Sequence, residues 1–148
     1  MTTTTPIRRG ISASIVLRTA ALTTVLATAI ELGVFEVARA ANVRFQFPTS
    51  GAGSGTTTVV AGTVAGVTLL AMTVGWLLVA LAIRLRRPTM RIMEIVGGVF
   101  CAASTLMPLS LNTSTSTKLT LVSLHLIAGF FFVVGVGRLT RPDAGANR

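Results

Sequence analysis

The sequence predicts an all-α membrane protein, a bundle of four transmembrane helices with both termini on the cytoplasmic side. Three observations carry this. The chain of 148 residues is 51% hydrophobic and 11% charged, whereas a soluble domain has about a quarter of its residues charged. Its apolar residues fall in runs long enough to cross hydrocarbon, which takes ~20 residues per helix. Its 13 basic residues stand in short clusters between those runs. A net charge of +9 would otherwise suggest nucleic acid, but these residues do not gather on one polar face, so that partner is excluded in favour of lipid.

The first helix, expected over residues 14–41, is the least uniform. Arg18, Glu31, Glu36 and Arg39 interrupt it, leaving 12 uncharged residues from Thr19 to Ile30. A cleaved secretory signal would use Arg8 and Arg9 as its basic region and "ARA" (Ala38 to Ala40) before the cut. A twin-arginine signal would use "RRGIS". Both place glutamates where the apolar region should continue, so a long helix is the better reading. Arg18 then snorkels to one interface, Glu36 and Arg39 approach the other, and Glu31 stays inside.

No charge occurs from Phe45 to Ile83. "PTSGAGSG" is loop material, and residues 57–83 make the second span. Phe45 and Phe47 alternate with Gln46, so an extended segment turns both rings to one side, over the outer mouth of the bundle. In "RLRRPTMR", Pro88 stops a helix between the second and third spans. The third span is expected over 91–111, bent at Pro108, with Ser104 positioned to satisfy a freed carbonyl. The fourth covers 117–138, and its run of 19 residues from Leu119 to Gly137 is interrupted only by His125, the single histidine. Residues 1–13 and 141–148 are cytoplasmic tails. Nine basic residues fall on the side of the termini and three on the other, with Arg18 set aside, so the positive side faces the cytoplasm. Cys101 is the only cysteine, which excludes an intramolecular disulfide and a cysteine metal site. Arginine outnumbers lysine twelve to one, a bias that fits a GC-rich bacterial genome and the plasma membrane of such a cell.

With these segments placed, residues 14 to 140 resemble a family of small four-span membrane proteins from actinobacteria whose function is uncharacterised. The likeness lies in "ARAANVRF" closing the first helix, a Pro/Gly-containing outer loop, "STLMPL" in the third helix and "SLHLIAG" in the fourth. The resemblance implies four transmembrane helices and no particular activity. Glu31 departs from it, standing where an uncharged polar residue is expected.

Two pairs of polar residues are candidates for more than anchoring. Glu31 and His125 lie at similar depth from the outer face and form a candidate intramembrane pair. Ionisable groups at depth are functional candidates by default, while the plainer alternative is a hydrogen bond that fixes packing. Arg18 and Glu94 form a candidate pair on the cytoplasmic side, where Glu94 also complements a helix N-terminus. Gly62 and Gly66 on the second helix, and Gly98 and Ala102 on the third, predict close helix approach, with Pro108 bending the third.

No Ser/His/Asp set, HExxH or phosphate loop is present, so no enzyme activity, cofactor or metal is expected. The expected role is an accessory or scaffolding protein of the membrane, acting through helix–helix contacts with itself or another membrane protein. The alternatives are an oligomeric transporter or proton-linked carrier using Glu31 and His125, and a sensor of lipid or a small apolar ligand. Reporter fusions at the two ends should both report the cytoplasm. A periplasmic C-terminus would break the topology, and a mature N-terminus near Ala41 would restore the signal-peptide reading.

Overall fold

The structure, a computed structural model, describes residues 12–48, 55–85 and 90–140. Its elements in chain order are α1 (Ala13–Ala40), β1 (Gln46–Pro48), β2 (Thr56–Thr58), α2 (Ala61–Arg84), α3 (Met90–Ser104), α4 (Leu106–Ser110) and α5 (Thr115–Thr140). Four helical segments are long and apolar enough to cross a membrane, the third being α3 and α4 together over Ile92–Ser110. Pro88, residues 49–54 of the outer loop, and residues 1–11 and 141–148 of the tails lie outside the described residues.

α1 ends by a specific chain reversal. Asn42 has φ 62°, in the left-handed region that asparagine tolerates better than most residues. Its N–H donates to Arg39 O at 2.9 Å, and the Val43 N–H reaches back to Ala38 O at 3.0 Å. This is the Schellman arrangement, which satisfies carbonyls left free at a helix C-terminus. The turn sends β1 back along the bundle, so Phe45 is buried against Phe35 at a centroid distance of 4.6 Å. Phe47 packs beside them and Gln46 is exposed, as the alternation of the segment anticipates.

β1 pairs antiparallel with β2, Phe47 opposite Thr57. The second helix was expected from residue 57, but this pairing holds Thr56–Thr58 extended and delays α2 to Ala61. The third span is interrupted at Thr105, three residues before Pro108. There the Thr105 N–H turns to Ala102 O, and the Cys101 carbonyl instead accepts the Ser104 hydroxyl at 2.7 Å. Ser114 caps α5, its Oγ accepting the Thr117 N–H at 3.3 Å.

α5 is the hub of the bundle, in contact with α1, α2, α3 and α4. One core cluster joins Val16, Ala27, Met72, Trp76, Val79 and Val136, and a second joins Phe35, Phe45, Val64 and Leu124 beneath the hairpin. The outward faces carry large apolar side chains, among them Leu17, Leu70 and Phe100, each about two-thirds exposed or more, as a lipid-facing surface requires.

The glycines that permit close approach are not the ones the GxxxG spacing suggests. Gly62 and Gly66 face open space, and Ala102 is exposed, because α2 turns Val64, Thr68 and Met72 inward instead. Gly98 makes only ordinary contact with Val133. The tight contacts fall on α5 and its neighbours. A Cβ at Gly97 would stand 2.6 Å from the Phe132 ring, one at Gly135 would stand 2.7 Å from Trp76, and one at Gly129 would overlap the Cys101 sulfur. Pro108 is buried at the bend. Gly135→Ala should therefore lower stability in detergent by ~1–3 kcal/mol through overpacking. Gly66→Ala should cost nothing, and a larger loss at Gly66 than at Gly135 would contradict this packing.

Candidate functional site

Inward positions on α1 recur every four residues at Thr23, Ala27, Glu31 and Phe35, and on α2 at Val64, Thr68, Met72 and Trp76. Such spacing lines one helix face, so Glu31 and Thr68 meet across the α1–α2 contact. Glu31 is 2% exposed. Its Oε2 is hydrogen-bonded to the Thr68 hydroxyl, and the Ala128 backbone amide of α5 lies against the same carboxyl. Thr68 Oγ1 is also bonded to Val64 O at 2.9 Å.

These contacts constrain one another. A threonine hydroxyl has a single hydrogen, a backbone carbonyl only accepts, and an ionised carboxylate only accepts. With Glu31 protonated, its O–H donates to Thr68 Oγ1 and Thr68 donates to Val64, so both bonds are complete. With Glu31 ionised, the one threonine hydrogen is divided between two acceptors.

Beside this cluster is a cavity of about 400 Å³, open on the side where Val67 and Met107 are largely exposed. It occupies the space between α2 and α4, which are not in contact, and Phe47 of the hairpin lies at its wall. Its walls are almost entirely apolar, with Val67, Met107, Pro108, Leu121 and Leu124 among them. The titratable side chains lining it are Glu31 and His125. His125 Nδ1 donates to Leu121 O at 2.8 Å in its own helix, which leaves Nε2 an acceptor in the neutral ring. The Cys101 thiol donates to the His125 carbonyl at 3.2 Å, fixing α3 against α5 there.

The structure thus brings Glu31 and His125 to one cavity but bonds each of them elsewhere. The polar partner of Glu31 is Thr68 on α2, and that of the His125 ring is its own helix backbone. Arg18 and Glu94 are not joined among the described residues. Arg18 is exposed on α1, Glu94 is half-buried on α3 facing Gly137 of α5, and α5 lies between the two helices. The ion pair among the described residues is Arg39–Glu36 at 3.0 Å, on the exposed face of α1. Thr68 escaped the sequence reading, although its place in the four-residue series ending at Trp76 was a usable signal. Thr117 escaped it too; fully buried, it donates to Arg44 O at 2.9 Å and ties the start of the hairpin segment to α5.

Residues 11–142 match the model of a family described as "Family of unknown function (DUF6069)". The chain belongs to this family. No curated protein and no solved structure matches it. DUF6069 membership extends over the hairpin, the bent third span and the Glu31–Thr68 contact alike, and supplies no activity for them.

The hydrogen bond between Glu31 and Thr68 makes a measurable claim. In a double-mutant cycle, Glu31→Leu and Thr68→Val should couple by ~0.6–2 kcal/mol, the range of interhelical hydrogen bonds in membranes. Glu31→Leu and His125→Ala should couple more weakly. Stronger coupling to His125 would show that the histidine is the true partner.

Proposed function

We propose that this protein is an integral membrane protein of a bacterial plasma membrane that binds a small, largely apolar molecule inside its helix bundle. The observation that carries the reading is the cavity between α2 and α4, with the Glu31–Thr68 cluster as the polar anchor on an otherwise apolar wall. Ligand sites are characteristically apolar concavities of roughly 300–1,000 Å³ with few, fixed polar groups. A binding role, in a sensor or as part of a carrier, suits this inventory better than catalysis, since His125, Glu31 and Thr68 form no nucleophile–base pair. The charge distribution of the loops supports cytoplasmic termini, and the arginine-rich composition supports an actinobacterial host.

A scaffolding role has its own observation. Gly62 and Gly66 face outward with nothing within 4 Å of a Cβ at either, so α2 presents a face that a second helix can approach closely. The partner would be another copy of the chain or a different membrane protein.

The neutral probe tert-butylbenzene tests the cavity. It should raise the thermal midpoint of the protein in nanodiscs, because a ligand that binds the folded state stabilises it. Val67→Trp, which fills the cavity from its exposed rim, should remove the shift and leave the fold intact. The absence of any shift in the unaltered protein would end the ligand-binding reading.

A further inference from the structure

From the atoms that face the cavity, we infer that its ligand is an organic cation of the substituted-ammonium class, held by Glu31 in exchange for a proton. This rests on the ligand-binding reading above and specifies the chemistry of the same site.

The polar side chains at the cavity are Glu31, Thr63, Thr68 and His125, and the two titratable ones among them offer acceptors. Thr68 takes one position on Oε2, and a carboxylate offers about four, so capacity remains even beside the Ala128 amide. His125 has its Nδ1–H committed to Leu121 O, so the neutral ring has only the Nε2 lone pair to offer. An anion would have to lie beside the Glu31 carboxyl, and a neutral hydrocarbon would leave the acceptors unused. A cation with an apolar body matches both the acceptors and the walls. Phe47 adds an aromatic face of the kind that attracts ammonium groups.

Among the described residues no arginine or lysine lines the cavity, so none of them brings a counter-charge to Glu31 there. Its hydrogen-bond chain to Thr68 and Val64 is complete when the carboxyl carries a proton. Cation and proton therefore exclude one another at one group. On binding, the carboxyl O–H bond breaks, the proton leaves to water, and the carboxylate faces the cation with no net change of charge in the site. The groups that face Glu31 from the surrounding elements are few. α2 brings Thr68, with Thr63 on the same cavity wall, α5 brings His125 and the Ala128 amide, and the α4 and hairpin side chains described at the cavity are apolar. His125 is the other titratable side chain described at the cavity, so the pH dependence is compared in Glu31→Gln as well.

The experiment compares two molecules of nearly the same shape, trimethylphenylammonium and tert-butylbenzene, by equilibrium dialysis against the full chain in nanodiscs, with empty nanodiscs subtracted. The permanent charge of the ammonium keeps ligand titration out of the result. The cation should bind more weakly as the pH is lowered and should release protons on binding in weakly buffered solution. Glu31→Gln should weaken the cation by about tenfold or more, a loss of ~1.4 kcal/mol, while still binding tert-butylbenzene, which also shows that the variant is folded. Binding of tert-butylbenzene without the cation would overturn this inference and leave the cavity reading standing. Failure of both molecules would overturn both. Cation binding that is independent of pH, or equal in Glu31→Gln, would overturn the exchange at Glu31.

Discussion

A hydrogen-bonding group that enters hydrocarbon has no water to fall back on, and the architecture of this chain follows from that constraint. Among the described residues, the break in the third span has an internal remedy. Where the third span breaks, hydroxyls of Ser104 and Thr105 reach carbonyls three residues back. Thr23, Thr28, Thr120 and Ser123 bond backbone carbonyls four residues earlier in their own helices. Thr117 and Thr68 act between elements, and Thr68 makes a glutamic acid tolerable near the middle of the bundle. Trp76 Nε1 is the exception, buried and unpartnered where the ring wedges against Gly135 and Phe132. Packing there outweighs one lost hydrogen bond.

The architecture was legible because its signals are long. Uncharged runs bounded by charged residues define spans without reference to any neighbour, and Pro108 marks a bend by chemistry alone. The alternation of Phe45, Gln46 and Phe47 likewise announced which rings turn inward. Pairing between helices was less legible. Glu31 and His125 share depth, and depth is what hydropathy encodes, but the partner of Glu31 depends on helix rotation. A four-residue series of inward positions carried that information at Thr68, where a threonine among apolar residues is too ordinary to stand out.

The glycines teach the same lesson from the opposite side. A GxxxG spacing states that two small residues share a face, and says nothing of where the face points. Gly62 and Gly66 point away from the bundle, while glycines outside any such spacing, at 97, 129 and 135, receive the bulk of Phe132, Cys101 and Trp76. What decides is whether a large side chain on the facing helix has nowhere else to go. The same argument separates Arg18 from Glu94, which lie on helices that α5 holds apart.

Because α5 is both the hub and the last of the four described spans, assembly of the bundle has a built-in order. During synthesis the earlier segments emerge first. α1 and α2 already satisfy the costliest group of the chain between them, Glu31 with Thr68, before the remaining spans arrive. α1 and α3 have no contact of their own, so the first pair and the bent third span stay loosely associated until α5 inserts between them. Insertion of that final helix then positions His125, closes Gly129 onto Cys101 and fastens the hairpin segment through Thr117. The cavity is thus a late product of biogenesis, absent from the nascent α1–α2 pair and created when α5 arrives.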